Sequence, residues 1–307
     1  MREKFPRHPM RTLTLHAGPG LDAFADFLST PAAIAVAAVW GAIWGSFFNV
    51  VIARVPRGES VVRPASRCGS CGAAVRARDN IPVLSYFLLR GRCRACGAHF
   101  SLRYPLVEAL TAVLSALVFW WFAGSDAGEV VAVRLGRFAV YFAFTGALVV
   151  LSFIDLDTKR LPDVITIPGT VVLFLAAFAA HDVPWSERAI GAAAGYLFVR
   201  LVADFYYYVL KREGLGLGDG KLLAMMGAVL GWKAVPVILF AGSVIGTVVS
   251  IPLLLLTRRG ANGATGENGE PATLRTTQVP FGPFLALGAL IYLFAGARIL
   301  ALVVPAG

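Results

Sequence analysis

Two aspartates beside apolar segments carry side chains that could perform acid–base chemistry. Asp155 ends one apolar run, and Asp219 opens another within the stretch EGLGLGDGKLL, residues 213–223. Carboxylates are rare in membrane segments, where they mark functional sites. Two carboxyl groups that come close share a proton, so the ionised one can take a proton from water while the protonated one donates a hydrogen bond to a carbonyl. The pair predicts aspartic peptidase chemistry, and Gly216 and Gly218 would let a substrate backbone or a neighbouring helix approach Asp219.

The other acidic residues have simpler structural interpretations. An aspartate at a helix end is often only an N-cap or an interfacial charge, and these roles suit Asp163 and the solvent-facing Asp157. Arg200 and Asp204 stand four residues apart, which is the spacing of an ion pair on a helix. Glu108 has two interpretations that the sequence leaves open: its side chain reaches the membrane surface, or it forms a hydrogen bond inside the bundle.

All four cysteines lie close together, in two Cys-x2-Cys pairs separated by 21 residues. Cys68 and Cys71 form the first pair, and Cys93 and Cys96 form the second. This spacing is typical of a tetrahedral zinc site, with a glycine following the second thiolate of each pair. Two disulfides are the alternative, but they are rare in the reducing cytoplasm where the charge pattern places this segment. Four thiolates complete the coordination, so we expect His99 to be a surface or packing residue.

A zinc ion with four thiolate ligands has no open coordination position and would therefore be structural. The segment that carries the cysteines, residues 55–104, is too short to build much of a hydrophobic core. A bound metal ion would compensate for this.

The composition indicates a membrane protein, since 57% of the residues are hydrophobic and only 15% are charged. Apolar runs of about 17–25 residues are typical of membrane-spanning helices. The uncharged runs are 27–53, 109–125, 138–154, 164–180, 234–257 and 276–297. The segment 190–210 is also apolar, and 221–256 divides at Trp232 and Lys233 into two short spans. We predict eight spans, with seven as the alternative.

The net charge of +10 is explained by the positive-inside rule rather than by a nucleic-acid partner, which we do not expect. Residues 54–103 alone contain ten arginines. Eight spans place this segment and the basic loops near 155–163, 211–221 and 257–275 on one face of the membrane. That face is predicted to be the cytoplasmic one.

The predicted fold is an all-α polytopic membrane protein with a small zinc-binding cytoplasmic insertion. We divide the chain into an N-terminal lead-in (1–30), a first membrane helix (31–54), the zinc-binding segment (55–104) and a membrane peptidase bundle (105–307). The composition of residues 257–279 predicts a flexible loop.

An ordered set of motifs, with the two aspartates 64 residues apart, resembles the bacterial type IV prepilin peptidases, which are prepilin leader peptidase/N-methyltransferases. The resemblance covers nearly all of the chain after residue 40. The motifs are GSFFNVVIARVPRGES (45–60), the two cysteine pairs, RYPLVEALTA (103–112), IDLDTKRLPD (154–163), EGLGLGDGKLLAMMGAVLGW (213–232) and VPFGPFLALGAL (279–290).

The resemblance implies that Asp155 and Asp219 are the catalytic residues of an enzyme in the bacterial inner membrane, with its active site facing the cytoplasm. The implied substrates are prepilins or pseudopilins, which insert among membrane lipids and have a short basic leader that is cut after a glycine. S-adenosylmethionine then donates a methyl group to the new amino terminus, and the zinc segment goes with this second activity. No glycine fingerprint in the sequence locates the S-adenosylmethionine site.

Two other classes of protein are compatible with the residues taken alone. In an ion-coupled transporter, the aspartates would bind a proton or cation at an unwound helix. In a membrane scaffold that presents a zinc module, the aspartates would be dispensable.

Overall fold

The computed structural model describes residues 19–125, 128–211, 216–260 and 280–303. These residues form helices and turns without a β-strand, apart from two isolated bridges, which confirms the predicted all-α class. Glu213 and the greater part of the loop predicted at 257–279 lie outside the described residues. The helices are α1 (Pro19–Phe27), α2 (Pro31–Arg54), α3 (Leu84–Leu88), α4 (Arg103–Phe119), α5 (Val131–Thr158), α6 (Asp163–Ala176), α7 (Trp185–Leu210), α8 (Leu217–Leu230), α9 (Ala234–Gly260) and α10 (Gly282–Val303).

Within the described residues, seven helices are long and apolar enough to cross a membrane: α2, α4, α5, α6, α7, α9 and α10. The chain is therefore a multi-pass membrane protein. The eighth predicted helix is present as α8, but it has only 14 residues. At 1.5 Å per residue it is about 21 Å long, shorter than the roughly 30 Å hydrocarbon core. It ends because Gly231 has a positive φ of 83° that leaves the helical conformation.

The helices fall into two compact units. The first consists of Met1–Val150 and Val172–Val183, and the second of Leu151–Val171 and Pro184–Gly307. All four cysteines belong to the first unit, and Asp155 and Asp219 both belong to the second.

In the first unit, α2 packs against α4 through a row of small residues at four-residue intervals. Ala33, Ala37, Gly41 and Gly45 are buried along this face. A Cβ atom on Gly41 would lie 2.4 Å from the Cβ of Ser115, so the backbones approach too closely for any side chain at this position. Ser115 also donates its hydroxyl hydrogen bond to the Ala37 carbonyl at 2.6 Å. Such small-residue contacts, with added hydrogen bonds, are how membrane helices associate.

In the second unit, α8 runs antiparallel to α7 and is enclosed by its neighbours. Gly191 of α7 meets Gly227 of α8, and Val199 meets Gly220 near the beginning of α8. The residues from Leu222 to Leu230 are all buried, which is the pattern of a helix that is apolar on every side. This enclosure fixes the start of α8, where Asp219 lies in the first turn.

Candidate active site and metal centre

The two aspartates singled out by the sequence come together in the second unit. Asp155 lies in the last turn of α5, where it is only 4% exposed. Asp219 lies in the first turn of α8 and is half-buried. The carboxyl groups are close enough for the charge of Asp155 to act directly on Asp219. Residues far apart in the sequence thus form one acidic pair.

The turn that follows α5 brings this pair together, because it packs against the start of α8. The buried side chain of Leu161 lies against Gly218, where a Cβ atom would be 3.3 Å from the Leu161 Cβ. Asp163, in the first turn of α6, accepts a hydrogen bond from the Lys221 ammonium at 2.6 Å. This ion pair therefore connects the start of α6 to the first turns of α8. The Asp163 side chain is 58% exposed and that of Lys221 is 25% exposed, so this solvent-accessible ion pair contributes little to stability.

The glycines on either side of Leu217 have different surroundings. Gly218 gives room to the packed side chain of Leu161, which belongs to the turn after α5 and not to a neighbouring helix as predicted. At Gly216, the one group of the described residues that a Cβ atom would meet is the Asp219 carboxylate, at 3.8 Å. Of the two glycines, Gly216 is the exposed one.

Gly282, the first residue of α10, was not recognised as a site residue from the sequence. Its backbone N–H donates a hydrogen bond to the Asp155 carboxylate at 2.9 Å. The N-terminus of a helix carries a partial positive charge and favours a carboxylate at this position. A Cβ atom on Gly282 would lie 2.7 Å from the same oxygen. The signal was present in the motif VPFGPF, because proline after the glycine is typical of a helix start.

We expect Gly282→Ala to lower any activity that depends on Asp155 by ~10- to 100-fold, because the new methyl group displaces the carboxylate. Gly288→Ala is the matched control in α10: its Cβ atom would lie 2.7 Å from the Ile238 carbonyl oxygen, and the three atoms nearest to it belong to α9 and not to either aspartate. Initial rates of peptide cleavage at equal amounts of folded protein are the measurement. Equal losses in the two variants would mean that Gly282 matters only for packing.

The arrangement suits acid–base chemistry on a carbonyl. Two interacting carboxyl groups hold one proton between them more easily than none or two. Asp155 already accepts a backbone hydrogen bond, and Asp219 has the accessible Gly216 beside it. A water molecule held by such a pair could be deprotonated by one carboxylate while the other polarises a peptide carbonyl.

The other acidic residues are placed away from this pair. Asp157 is exposed, as predicted. Arg200 and Asp204 form the predicted ion pair at 2.9 Å. Glu108 is buried in the first unit, and its carboxylate accepts a hydrogen bond from the Val83 N–H at 2.6 Å. Of the two interpretations left open for Glu108, the structure thus favours hydrogen bonding inside the protein.

The four cysteines form a second cluster, in the first unit, with their sulfur atoms all within 4.8 Å of one another. They lie on two turns with the same hydrogen bonds. In each turn the backbone N–H of the first cysteine donates a hydrogen bond to the carbonyl five residues later. Its own carbonyl accepts a hydrogen bond from the N–H of the glycine four residues later. All four of these bonds are 2.8–2.9 Å long. The glycines after the second thiols, Gly72 and Gly97, have φ of 71° and 73°. The tight turns predicted from the spacing are therefore present.

The cluster has the dimensions of a tetrahedral metal site. Zinc–sulfur bonds of ~2.3 Å place the sulfur atoms of a tetrahedron about 3.8 Å apart, and the Cys68 and Cys96 sulfurs are 3.9 Å apart. The cysteines are free thiols rather than disulfides. Backbone N–H groups of Cys71 and Ser70 lower the pKa of the Cys68 thiol to about 6, which favours the metal-binding thiolate. These four residues could hold zinc, and His99 is exposed and outside the cluster.

Comparison with known proteins assigns both clusters to recognised domains. Residues 39–122, which include the cysteines and Glu108, match the bacterial peptidase A24 N-terminal domain. Residues 142–251, which include Asp155 and Asp219, match the type IV leader peptidase family. No solved structure matches the chain.

Full-length relatives extend this similarity over most of the chain. A Pseudomonas putida protein named prepilin leader peptidase/N-methyltransferase is 37% identical over 290 residues, covering 87% of this chain and 92% of the relative. A protein of the same name from Neisseria gonorrhoeae is 38% identical over 246 residues, covering 72% and 82%. One from Myxococcus xanthus is 41% identical over 240 residues, covering 76% and 67%. The chain therefore belongs to the type IV leader peptidase family.

Proposed function

We propose that this protein removes the leader peptide from type IV prepilins or pseudopilins and methylates the new amino terminus, with Asp155 and Asp219 as its catalytic residues. The observation that carries the proposal is the pair of interacting carboxyl groups inside the part of the chain that matches the leader peptidase family. The names of the relatives add the substrate class and the second activity. Neither a transporter nor a scaffold accounts for this family membership.

Cleavage would use the proton that the two carboxyl groups share. The ionised carboxylate takes a proton from water as the water oxygen attacks the scissile carbonyl, and the protonated carboxyl group donates a hydrogen bond to the carbonyl oxygen. The carboxyl group that took the water proton then gives it to the amide nitrogen, and the tetrahedral intermediate collapses as the C–N bond breaks. The products are the carboxylate of the leader and the amine of the mature pilin. The hydrogen bond from the N–H of Gly282 would orient the Asp155 carboxylate for this reaction.

The position of the pair suits a substrate with a basic leader and an apolar helix. Asp155 ends a membrane-spanning helix, and Asp219 begins the short α8. We place this end of α5 and the arginine-rich residues 54–103 at the cytoplasmic face of the bacterial inner membrane, on the positive-inside rule. A prepilin whose apolar helix is inserted in the lipid bilayer then has its cleavage site at the same membrane depth as Asp155 and Asp219.

Methylation requires S-adenosylmethionine as the methyl donor and an unprotonated terminal amine. When bound, this compound supplies a methyl group on a sulfonium: the amine lone pair forms the N–C bond, the C–S bond electrons stay on sulfur, and the surplus proton of the new ammonium passes to water. The protein must bind both reactants and exclude competing water. Zinc held by Cys68, Cys71, Cys93 and Cys96 would be structural, because four thiolates leave no open position.

Co-expression with candidate prepilins, in a host that lacks its own leader peptidase, tests this function. We expect the prepilin to shift to the mobility of the mature pilin only when this protein is present. A prepilin with its cleavage-site glycine replaced is the matched substrate control and should remain uncut. Failure to process any prepilin or pseudopilin from the same genome would contradict the proposal.

A further inference from the structure

A cavity of about 340 Å³ lies in the first unit, apart from the cysteine cluster. One side of it is formed by α2, from Ile43 to Arg54. The other sides are formed by two loop segments, 61–66 and 80–82. Its volume is at the lower end of the roughly 300–1,000 Å³ typical of small-molecule sites. Asp155 and Asp219 belong to the other unit, and neither is among the residues that line this cavity.

The first loop is held over the cavity by Arg54. The guanidinium group donates one hydrogen bond to the Ser60 carbonyl at 2.9 Å and another to the Pro64 carbonyl at 2.8 Å. These bonds use two of the five N–H donors of an arginine, and the side chain itself lines the cavity. Arg54 therefore shapes the cavity and retains donors that can face an occupant.

The second loop is held by Glu108 of α4. Its carboxylate is hydrogen-bonded to the N–H of Val83 and to the side chain of Ser46, which lines the cavity. Val83 has a φ of 61°, a strained conformation for a β-branched residue. Strain of this kind is kept where the surrounding structure requires a particular loop position, most often at functional sites. Both loops are thus fixed around an open space instead of collapsing into it.

The lining combines three kinds of chemical group. Phe47 and Val50 supply an aromatic ring and an aliphatic surface, and the other apolar residues of the lining are Ile43, Val61, Val62, Pro64, Ala65 and Pro82. Ser46, Asn80 and Ser66 supply hydroxyl and amide groups that can exchange hydrogen bonds. Arg54 adds a permanent positive charge beside a space that its partners do not fill. Such a lining fits a ligand with a flat heteroaromatic ring, hydroxyl groups and a carboxylate, whereas a lipid acyl chain would need only the apolar part.

We propose that this cavity binds S-adenosylmethionine and is the methyl-donor site of the protein. The adenine ring would contact Phe47 and Val50, Ser46 and Asn80 would bond the polar edges of the nucleoside, and Arg54 would pair with the carboxylate of the methionine part. Glu108 is a positioning residue that keeps Ser46 and the loop at Val83 in place. This inference rests on the proposed methyltransferase activity, and it adds the location of the donor and the residues that hold it.

Direct ultraviolet crosslinking of radiolabelled S-adenosylmethionine to the purified full-length protein in lipid nanodiscs tests the location. We expect the label on peptides from residues 43–66 or 80–82, and unlabelled S-adenosylhomocysteine should compete for it. A label confined to other peptides would overturn the assignment of the cavity. If the protein also fails to methylate a pilin, the proposed methyltransferase function fails with it; if methylation is normal, only the location is wrong.

A second measurement uses a side chain that fills the cavity. Ala65 lines the cavity, and Ala77 is an exposed alanine of the same segment outside the lining. Ala65→Trp should weaken equilibrium binding of S-adenosylmethionine by about tenfold or more, equivalent to ~1.4 kcal/mol, whereas Ala77→Trp should bind like the original protein. Unchanged zinc content in both variants checks that the segment is folded. Equal binding by the two variants would overturn the proposal.

Discussion

Asparagine in place of either Asp155 or Asp219 should reduce leader cleavage by about 10³-fold or more, because neither variant can hold the shared proton. Asparagine nearly preserves the size of the side chain, and its amide group can still accept the Gly282 hydrogen bond at Asp155. The loss would therefore report chemistry rather than folding. The measurement is the rate of prepilin processing by purified protein at equal concentrations.

Asp157→Asn is the matched control, because Asp157 lies only two residues from Asp155 but is exposed. This variant should process prepilin at nearly the original rate. The Asp219→Asn variant should still methylate a pilin that has already been cut, since the amine is then supplied. Substantial cleavage by Asp219→Asn would contradict the assignment of the catalytic pair.

Replacing Cys68, the most buried of the four cysteines, by serine should remove the bound metal. We expect about one zinc ion per chain in the original protein and little or none in Cys68→Ser. Structural zinc sites contribute roughly 10–16 kcal/mol of apparent binding free energy in small zinc peptides, so residues 55–104 should lose much of their stability. Elemental analysis and limited proteolysis of this segment are the measurements.

His99→Ala is the control for zinc loss, because His99 is exposed and belongs to the same segment but not to the cysteine cluster. It should retain the metal. In Cys68→Ser, methylation should fall more than cleavage, because the cavity proposed for the methyl donor is built from the same segment. An equal fall in the two activities would show that this segment serves both reactions.

Much of the site was predictable because many of its residues belong to short, local sequence patterns. The cysteine spacing was sufficient to predict the cluster of four thiols and its two glycine turns, since each turn depends on a few consecutive residues. The apolar runs predicted the spans for the same reason. Asp155 and Asp219 were identified because carboxylates are unusual beside such runs.

The residues that were missed depend on contacts between distant segments. Nothing local to Gly282 indicates that its N–H faces a carboxylate 127 residues earlier in the chain. The choice between two roles for Glu108 required the position of the Val83 N–H, which belongs to a loop. Likewise, the short length of α8 follows from the conformation of Gly231. The cavity has no sequence signature because its walls come from a membrane helix and two separate loops.

The most direct test of the account is the intact mass of a prepilin incubated with the purified protein and S-adenosylmethionine in lipid nanodiscs. The account predicts a product that has lost its leader up to the cleavage-site glycine and gained one methyl group. With Asp219→Asn the precursor mass should remain unchanged. A leader removed equally well by Asp219→Asn, or a precursor left intact by the original protein, would contradict the central claim that these two aspartates cut the prepilin leader.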